Sequence, residues 1–97
     1  MDQVDFEWDD VKDVENQKKH VPSFGESQHA FFDQNRVIAE DLEHSQFEKC
    51  FYCFGLDAEG HGIITVRFTY LANCIRIFGA GYWQKGKQIC EQANRLN

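Results

Sequence analysis

Residues 47–79 hold three β-prone runs with only short turns between them, at residues 47–55, 61–69 and 74–79. Asp57-Ala58-Glu59-Gly60 turns the chain once and residues 70–73 turn it again. Connections this short favour antiparallel pairing, so a three-stranded meander is expected at the centre of the fold.

The flanks add helices. Phe6-Glu7-Trp8 alternates and reads as a short strand. Asp9 or Asp10 caps a helix running to about Lys19, with Val11 and Val14 as a narrow apolar stripe. Lys18, Lys19 and His20 lie at its end, where the helix dipole favours positive charge. Pro22 prevents continuation. Ser23-Phe24-Gly25-Glu26 matches a capping box and starts a second helix with Phe24 and Phe31 facing inward. Residues 36–40 form a further strand and residues 41–45 a polar loop. Residues 82–95 can be helical, with Ile89, Ala93 and Leu96 at i, i+4, i+7, although Gly86 weakens a helix by about 1 kcal/mol. The expected class is α+β, built as one domain over residues 1–97.

Composition narrows the function classes. The hydrophobic fraction of 42 % and 14 % aromatics suit a folded globule. No apolar run approaches the ~18 residues that span a bilayer, so no membrane association is expected. The acidic start is unlike a signal peptide. A cytoplasmic location with four reduced cysteines follows as the expectation. The net charge is −6. Residues 1–48 hold thirteen acids and four bases, against three acids and six bases in residues 49–97, so the halves carry −9 and +3. Overall acidity is a poor footprint for nucleic acid, but a basic patch in the second half remains open.

The last hairpin invites a geometric reading. If residues 70–73 close the turn, opposed residues sum to 143. Arg67 then faces Arg76 and Thr65 faces Phe78, while Phe68–Ile75 and Val66–Ile77 form the core side. Two opposed arginines repel, so either a carboxylate such as Glu48 intervenes or an anion binds there. His20, beside Lys18 and Lys19, is the histidine with the best context for acid–base or RNA contact. His29, His44 and His61 read as ordinary surface residues. Cys50-Phe51-Tyr52-Cys53 has the CxxC form, but an odd spacing in a strand points the sulfurs to opposite faces. Neither a zinc site nor a disulfide fits it, and no cofactor is expected.

These residues resemble a known family. Phe6-Glu7-Trp8-Asp9, Lys12, Asn16, Lys19-His20 and Ser23-Phe24 are similar to the opening of BrnT-type toxins. His44-Ser45, Glu48, Lys49 and Gly55 resemble that family's middle block, and Phe68-Thr69 with Ile75-Arg76-Ile77 its last hairpin. The resemblance implies a RelE-like fold: a twisted antiparallel sheet, two N-terminal helices and a C-terminal helix. It implies the toxin of a type II toxin–antitoxin pair, a metal-independent RNA-cleaving protein silenced by a small ribbon-helix-helix antitoxin. Carried over, it makes His20 the general acid or base, Lys19 its cationic neighbour and Arg76 a phosphate clamp. Arg67, Lys49 and Lys85 are then the other RNA phosphate contacts.

The chain also departs from the family pattern. Gly79-Ala80-Gly81 stands where Ser-Ala-Arg is usual, Lys87 where a glutamate is usual, and Leu71 and Cys74 at positions often held by arginine. Two expectations follow: a ribonuclease toxin with weakened activity, or a protein-binding module without catalysis on the same scaffold.

Overall fold

A computed structural model describes residues 4–95. The chain runs β1 (Asp5–Trp8), α1 (Asp10–Lys19), α2 (Phe24–Ser27), a 3-10 turn (Gln28–Phe32), β2 (Val37–Glu40), a second 3-10 turn (Leu42–His44), β3 (Phe51–Leu56), β4 (Ile63–Leu71), β5 (Cys74–Gly81) and α3 (Gln84–Arg95). One five-stranded sheet has the order β1-β5-β4-β3-β2. The meander is antiparallel, whereas β1 pairs with β5 in parallel through Asp5↔Cys74 to Trp8↔Ile77. The sheet is therefore mixed. A parallel pair needs a long crossover, and everything from α1 to β4 supplies it.

Local signals set the helix starts. The Asp9 side chain accepts from the backbone N–H groups of Val11 and Lys12. Ser23 and Glu26 form the reciprocal capping box. The second helix is shorter than its periodicity suggests: one α turn, after which the chain tightens to 3-10. In α1 no residue is buried, and Val11 and Val14 are both exposed. That helix is held instead by Asn16, whose amide donates to the Ala80 carbonyl at 2.9 Å, and by Asp13, which accepts from the Phe24 backbone N–H at 3.0 Å. Leu96, expected on the inner stripe of α3, lies outside the described residues.

One sheet face carries the core. Cys53, Ile64, Val66, Phe68, Ile75, Ile77 and Ala80 pack with Phe24 and Ala30, and Phe6, Trp8, Phe31 and Phe51 close the rim. The apolar side of the hairpin is thus the one expected, but its pairing is not. Leu71 pairs with Cys74, leaving only Ala72 and Asn73 as the loop, and Ala72 takes φ 54°. Thr69 opposes Arg76 and Phe68 opposes Ile77. The register then shifts, Phe78 becomes the extra residue, and Arg67 opposes Gly79. The expected sum of 143 is overturned, and Arg67 and Arg76 do not face each other. A left-handed residue in a tight turn usually announces itself as glycine or asparagine, and alanine hides it.

α3 lies on the opposite face, and Gly86 explains its closeness. A Cβ there would stand 2.0 Å from Thr65 Oγ1 and 3.0 Å from the Phe54 ring. The glycine that weakens the isolated helix lets the folded helix dock. On the core face, a Cβ at Gly55 would stand 2.2 Å from the Ala30 carbonyl oxygen, which belongs to backbone and cannot rotate away. Gly55→Ala should therefore destabilise the protein by about 1–3 kcal/mol, as overpacking does. Gly79→Ala, whose Cβ meets only Asn16 Oδ1 at 3.9 Å, should stay within ~0.5 kcal/mol. Urea unfolding of both variants checks this, and equal losses would contradict it.

Candidate active site

The face away from the core carries Glu7, Tyr52, Phe54, Thr65, Arg67, Thr69 and Arg76, by the pairing of their strands. α3 covers the Thr65–Phe54 end and leaves the arginines half-buried. Each arginine has its own acid, and neither acid is Glu48. Arg76 pairs with Glu7 across the parallel β1–β5 pair. Glu7 also accepts from the Cys74 thiol at 3.1 Å; that bond, then the Arg76 bond, holds its carboxyl below the ordinary range. Arg67 lies 3.7 Å from Asp41 Oδ2.

Asp41 is the centre of this region. It is 4 % exposed. Its oxygen Oδ2 also meets His44 Nδ1 at 2.9 Å. Burial by itself would raise the Asp41 pKa, but the His44 bond and charge, Tyr52 and Arg67 outweigh it and the carboxyl lies low. An ionised carboxylate only accepts, so the proton of the His44–Asp41 bond sits on Nδ1. In the neutral imidazole, Nε2 then keeps its lone pair, on a side chain 57 % exposed. Tyr52, the cross-strand partner of Arg67, has its phenol raised by burial and by the Asp41 charge, and so remains a donor. Arg67 Nε is buried without a hydrogen-bond partner among the described residues. A half-buried cation with an orphaned Nε donor, beside a histidine oriented by a buried aspartate, can bind an anion and exchange a proton next to it.

The loop holding this group is fixed from several directions. The Asp41 backbone N–H donates to the Cys50 carbonyl at 2.8 Å. The Ser45 hydroxyl donates to the Asp41 carbonyl and accepts from the Cys50 N–H. The Thr69 hydroxyl donates to the Lys49 carbonyl at 2.6 Å. Residues 47–49, expected in a strand, belong to this loop, and β3 begins at Phe51. Cys50 accordingly precedes the strand and Cys53 lies within it on the core face; both thiols are free.

The residues expected to act together are spread out. Lys19 ends α1 and is exposed. His20 caps that helix, and its ring meets the Trp83 indole edge-on, centroids 4.9 Å apart. Trp83 stands over Gly81, where a Cβ would lie 2.7 Å from its ring. The room beside position 81 is therefore filled by an indole. Gly81 is five residues along β5 from Arg76, roughly 15 Å at a strand's rise, so His20 and Arg76 occupy opposite ends of that strand. Lys49 lies beside the Asp41 loop and Lys85 in the first turn of α3. Neither Asp41 nor Tyr52 stands out in the sequence pattern, and His44 reads there as an ordinary surface histidine. The available signal was the Asp41–His44 spacing of three ahead of a serine.

Asp41 and Glu7 both have lowered pKa values, so the stability they contribute is present above the ordinary carboxylate value of about 4 and is lost as pH falls through their folded values. Asp41→Asn should cost about 1–3 kcal/mol at pH 7. The gap from the parent protein should close as pH drops below about 4. Thermal melts of both proteins between pH 7 and 3 measure this, and a gap that widens in acid would contradict the assignment.

No curated protein matches the chain. A protein-family model described as "Ribonuclease toxin, BrnT, of type II toxin-antitoxin system" does match, over residues 8–86. The match begins at the end of β1 and reaches into α3, so it takes in Asp41, His44, Tyr52, Arg67 and Trp83 as well as the Lys19-His20 pair. The chain belongs to the BrnT family of type II toxin–antitoxin ribonuclease toxins.

Proposed function

We propose that the protein is an RNA-cleaving toxin whose chemistry is carried by His44, oriented by Asp41, with Arg67 against the scissile phosphate. The observation that supports this most is the single buried carboxylate bridging the histidine and the arginine on an open sheet face. His44 Nε2 takes the proton of the ribose 2′-hydroxyl. O2′ then bonds to the adjacent phosphorus and the P–O5′ bond breaks. The leaving 5′-oxygen takes up a proton from water, giving a 2′,3′-cyclic phosphate and a 5′-hydroxyl end. Arg67 meets the charge that grows on the phosphorane, as preorganised donors do. Lys49 and Lys85 hold flanking phosphates. His20 stands by Trp83, with Lys19 beside it in the chain, and Arg76 is committed to Glu7.

Cleavage should be slow. The family's arginine at position 81 is absent, and Trp83 fills its place. One missing donor of this kind costs about 100- to 1000-fold in rate. Arg67 is also partly neutralised by Asp41. Purified protein incubated with single-stranded RNA at low salt should give weak cleavage. His44→Ala should lower it by roughly 100-fold or more. His20→Ala should change it by less than about tenfold. Loss of cleavage in His20→Ala with full activity in His44→Ala would reverse the assignment.

The partner in this reading is a small antitoxin of the ribbon-helix-helix type, met in the cytoplasm, and the five strands and three helices are taken as a RelE-like arrangement in one domain. A second observation supports a protein partner. An open groove of about 700 Å³ at the hairpin end is lined by Phe6, Phe31, Phe32, Ile38, Tyr70 and Ile75. Phe32, Ile38 and Tyr70 are exposed, and contiguous exposed apolar surface marks an interaction site. This groove lies on the core side of the sheet, so antitoxin bound there and RNA on the opposite face need not overlap directly. Phe32→Asp should weaken binding to a co-expressed antitoxin by tenfold or more in a titration and leave RNA cleavage by the free protein unchanged. Undiminished binding would remove the groove from the interface.

A further inference from the structure

We infer that the cavity between β3, β4 and the start of α3 is a slot for one unpaired nucleobase of RNA, purines favoured. This rests on the reading of the protein as an RNA-acting toxin. The cavity holds about 490 Å³, enough for a nucleotide, and its walls are mostly apolar. Tyr52 lines it from β3, stacked on Phe54 at 5.8 Å between centroids and 21° between planes. Trp83, just before α3, and Ile89 within α3 line it as well. Trp83 is held in place rather than loose, because its ring rests on Gly81 and meets the edge of His20. Flat aromatic walls suit the flat faces of a base, and stacking of this kind tolerates any sequence while favouring the larger ring.

One polar feature suits a nucleotide more than a plain apolar ligand. Lys85 lines the same cavity and can meet a phosphate. Thr65 lines it too, but its hydroxyl is covered by Gly86 of α3. The position agrees with the chemistry proposed next door. Tyr52 belongs to the slot and is also the cross-strand partner of Arg67, and Thr65 is two residues from Arg67 on the same face, about 7 Å away. A base seated between Tyr52 and Trp83 would put its own sugar–phosphate near Arg67 and His44. The slot therefore accounts for the tryptophan beside Gly81: it replaces a missing cation with a stacking surface.

The test uses the folded protein with 5′-AMP, 5′-UMP and ribose 5-phosphate as probes. Two-dimensional NMR should show 5′-AMP shifting the Trp83 indole N–H and Lys85, with the Trp8 indole unmoved. 5′-UMP should bind more weakly and ribose 5-phosphate should leave Trp83 unmoved. Trp83→Leu should weaken 5′-AMP binding by about 10- to 100-fold. Should that variant unfold, Tyr52→Leu and the shift map of the unaltered protein decide the matter. Ribose 5-phosphate moving Trp83 as strongly as 5′-AMP, or 5′-AMP moving the groove around Tyr70 instead, would overturn the slot. Cleavage of RNA is measured in parallel. Cleavage without 5′-AMP binding leaves the toxin reading intact and refutes the slot; 5′-AMP binding without cleavage does the reverse.

Discussion

The pairing of β4 with β5 is the constraint on which the other placements depend. Nine residues of β4 run beside eight of β5, with a two-residue loop at one end and a bulge at Phe78 within. The loop length aligns Thr69 with Arg76, and the bulge then moves Gly79, Ala80 and Gly81 one position relative to β4. Because side chains alternate across a sheet, a slip of one residue would exchange the faces. Before the bulge, Ile75 and Ile77 enter the core; after it, Ala80 does. The bulge is what allows an even number of residues, Phe78 and Gly79, between Ile77 and Ala80 while keeping both inward. It also turns Gly81 toward the face where Trp83 lies.

The two acids on that face do different work. Glu7 is partly exposed and neutralises Arg76 at the sheet's edge. Its worth to stability is small, as for most exposed pairs. Asp41 is buried, and a buried carboxylate is costly to keep charged unless its oxygens are met. His44 and Arg67 both meet Oδ2, and Tyr52 also favours the charged form. The cost of leaving that charge unmet ties the loop after β2 to the middle of the sheet. The same cost keeps a histidine in one tautomer with its other nitrogen outward. Local folding and potential chemistry are in this way consequences of one desolvated charge.

Close approaches fix the two layers that sandwich the sheet. The 3-10 turn comes down on Gly55, and α3 comes down through its own Gly86 onto Thr65 and Phe54. Neither contact would survive a side chain at the glycine, and each lies directly over the meander. α1 is held differently. It buries no residue and relies on Asn16, Asp13 and its caps. The helix that carries Lys19 and His20 is thus tied down by hydrogen bonds rather than by a buried face.

What the sequence determined by itself is whatever local chemistry enforces. The capping box at Ser23, the Asp9 cap, the meander and the inward row of Val66, Phe68, Ile75 and Ile77 follow from short-range hydrogen bonding and alternation, which act over a few residues. Family membership was legible in the same way, from FEWD through Lys19-His20. Tertiary structure alone decided the rest. The turn at Ala72 carries no glycine to mark it, so the register and the separation of Arg67 from Arg76 could not be read from pattern. Asp41 looked like one more acid in a polar loop, because burial is a property of what packs around a residue. The choice of Asp41 and Glu7 as arginine partners, the parallel edge strand, and the placing of Tyr52 and Trp83 around one cavity join residues far apart in the chain. Their energies exist only once the sheet has closed, and no window of sequence contains both members of each pair.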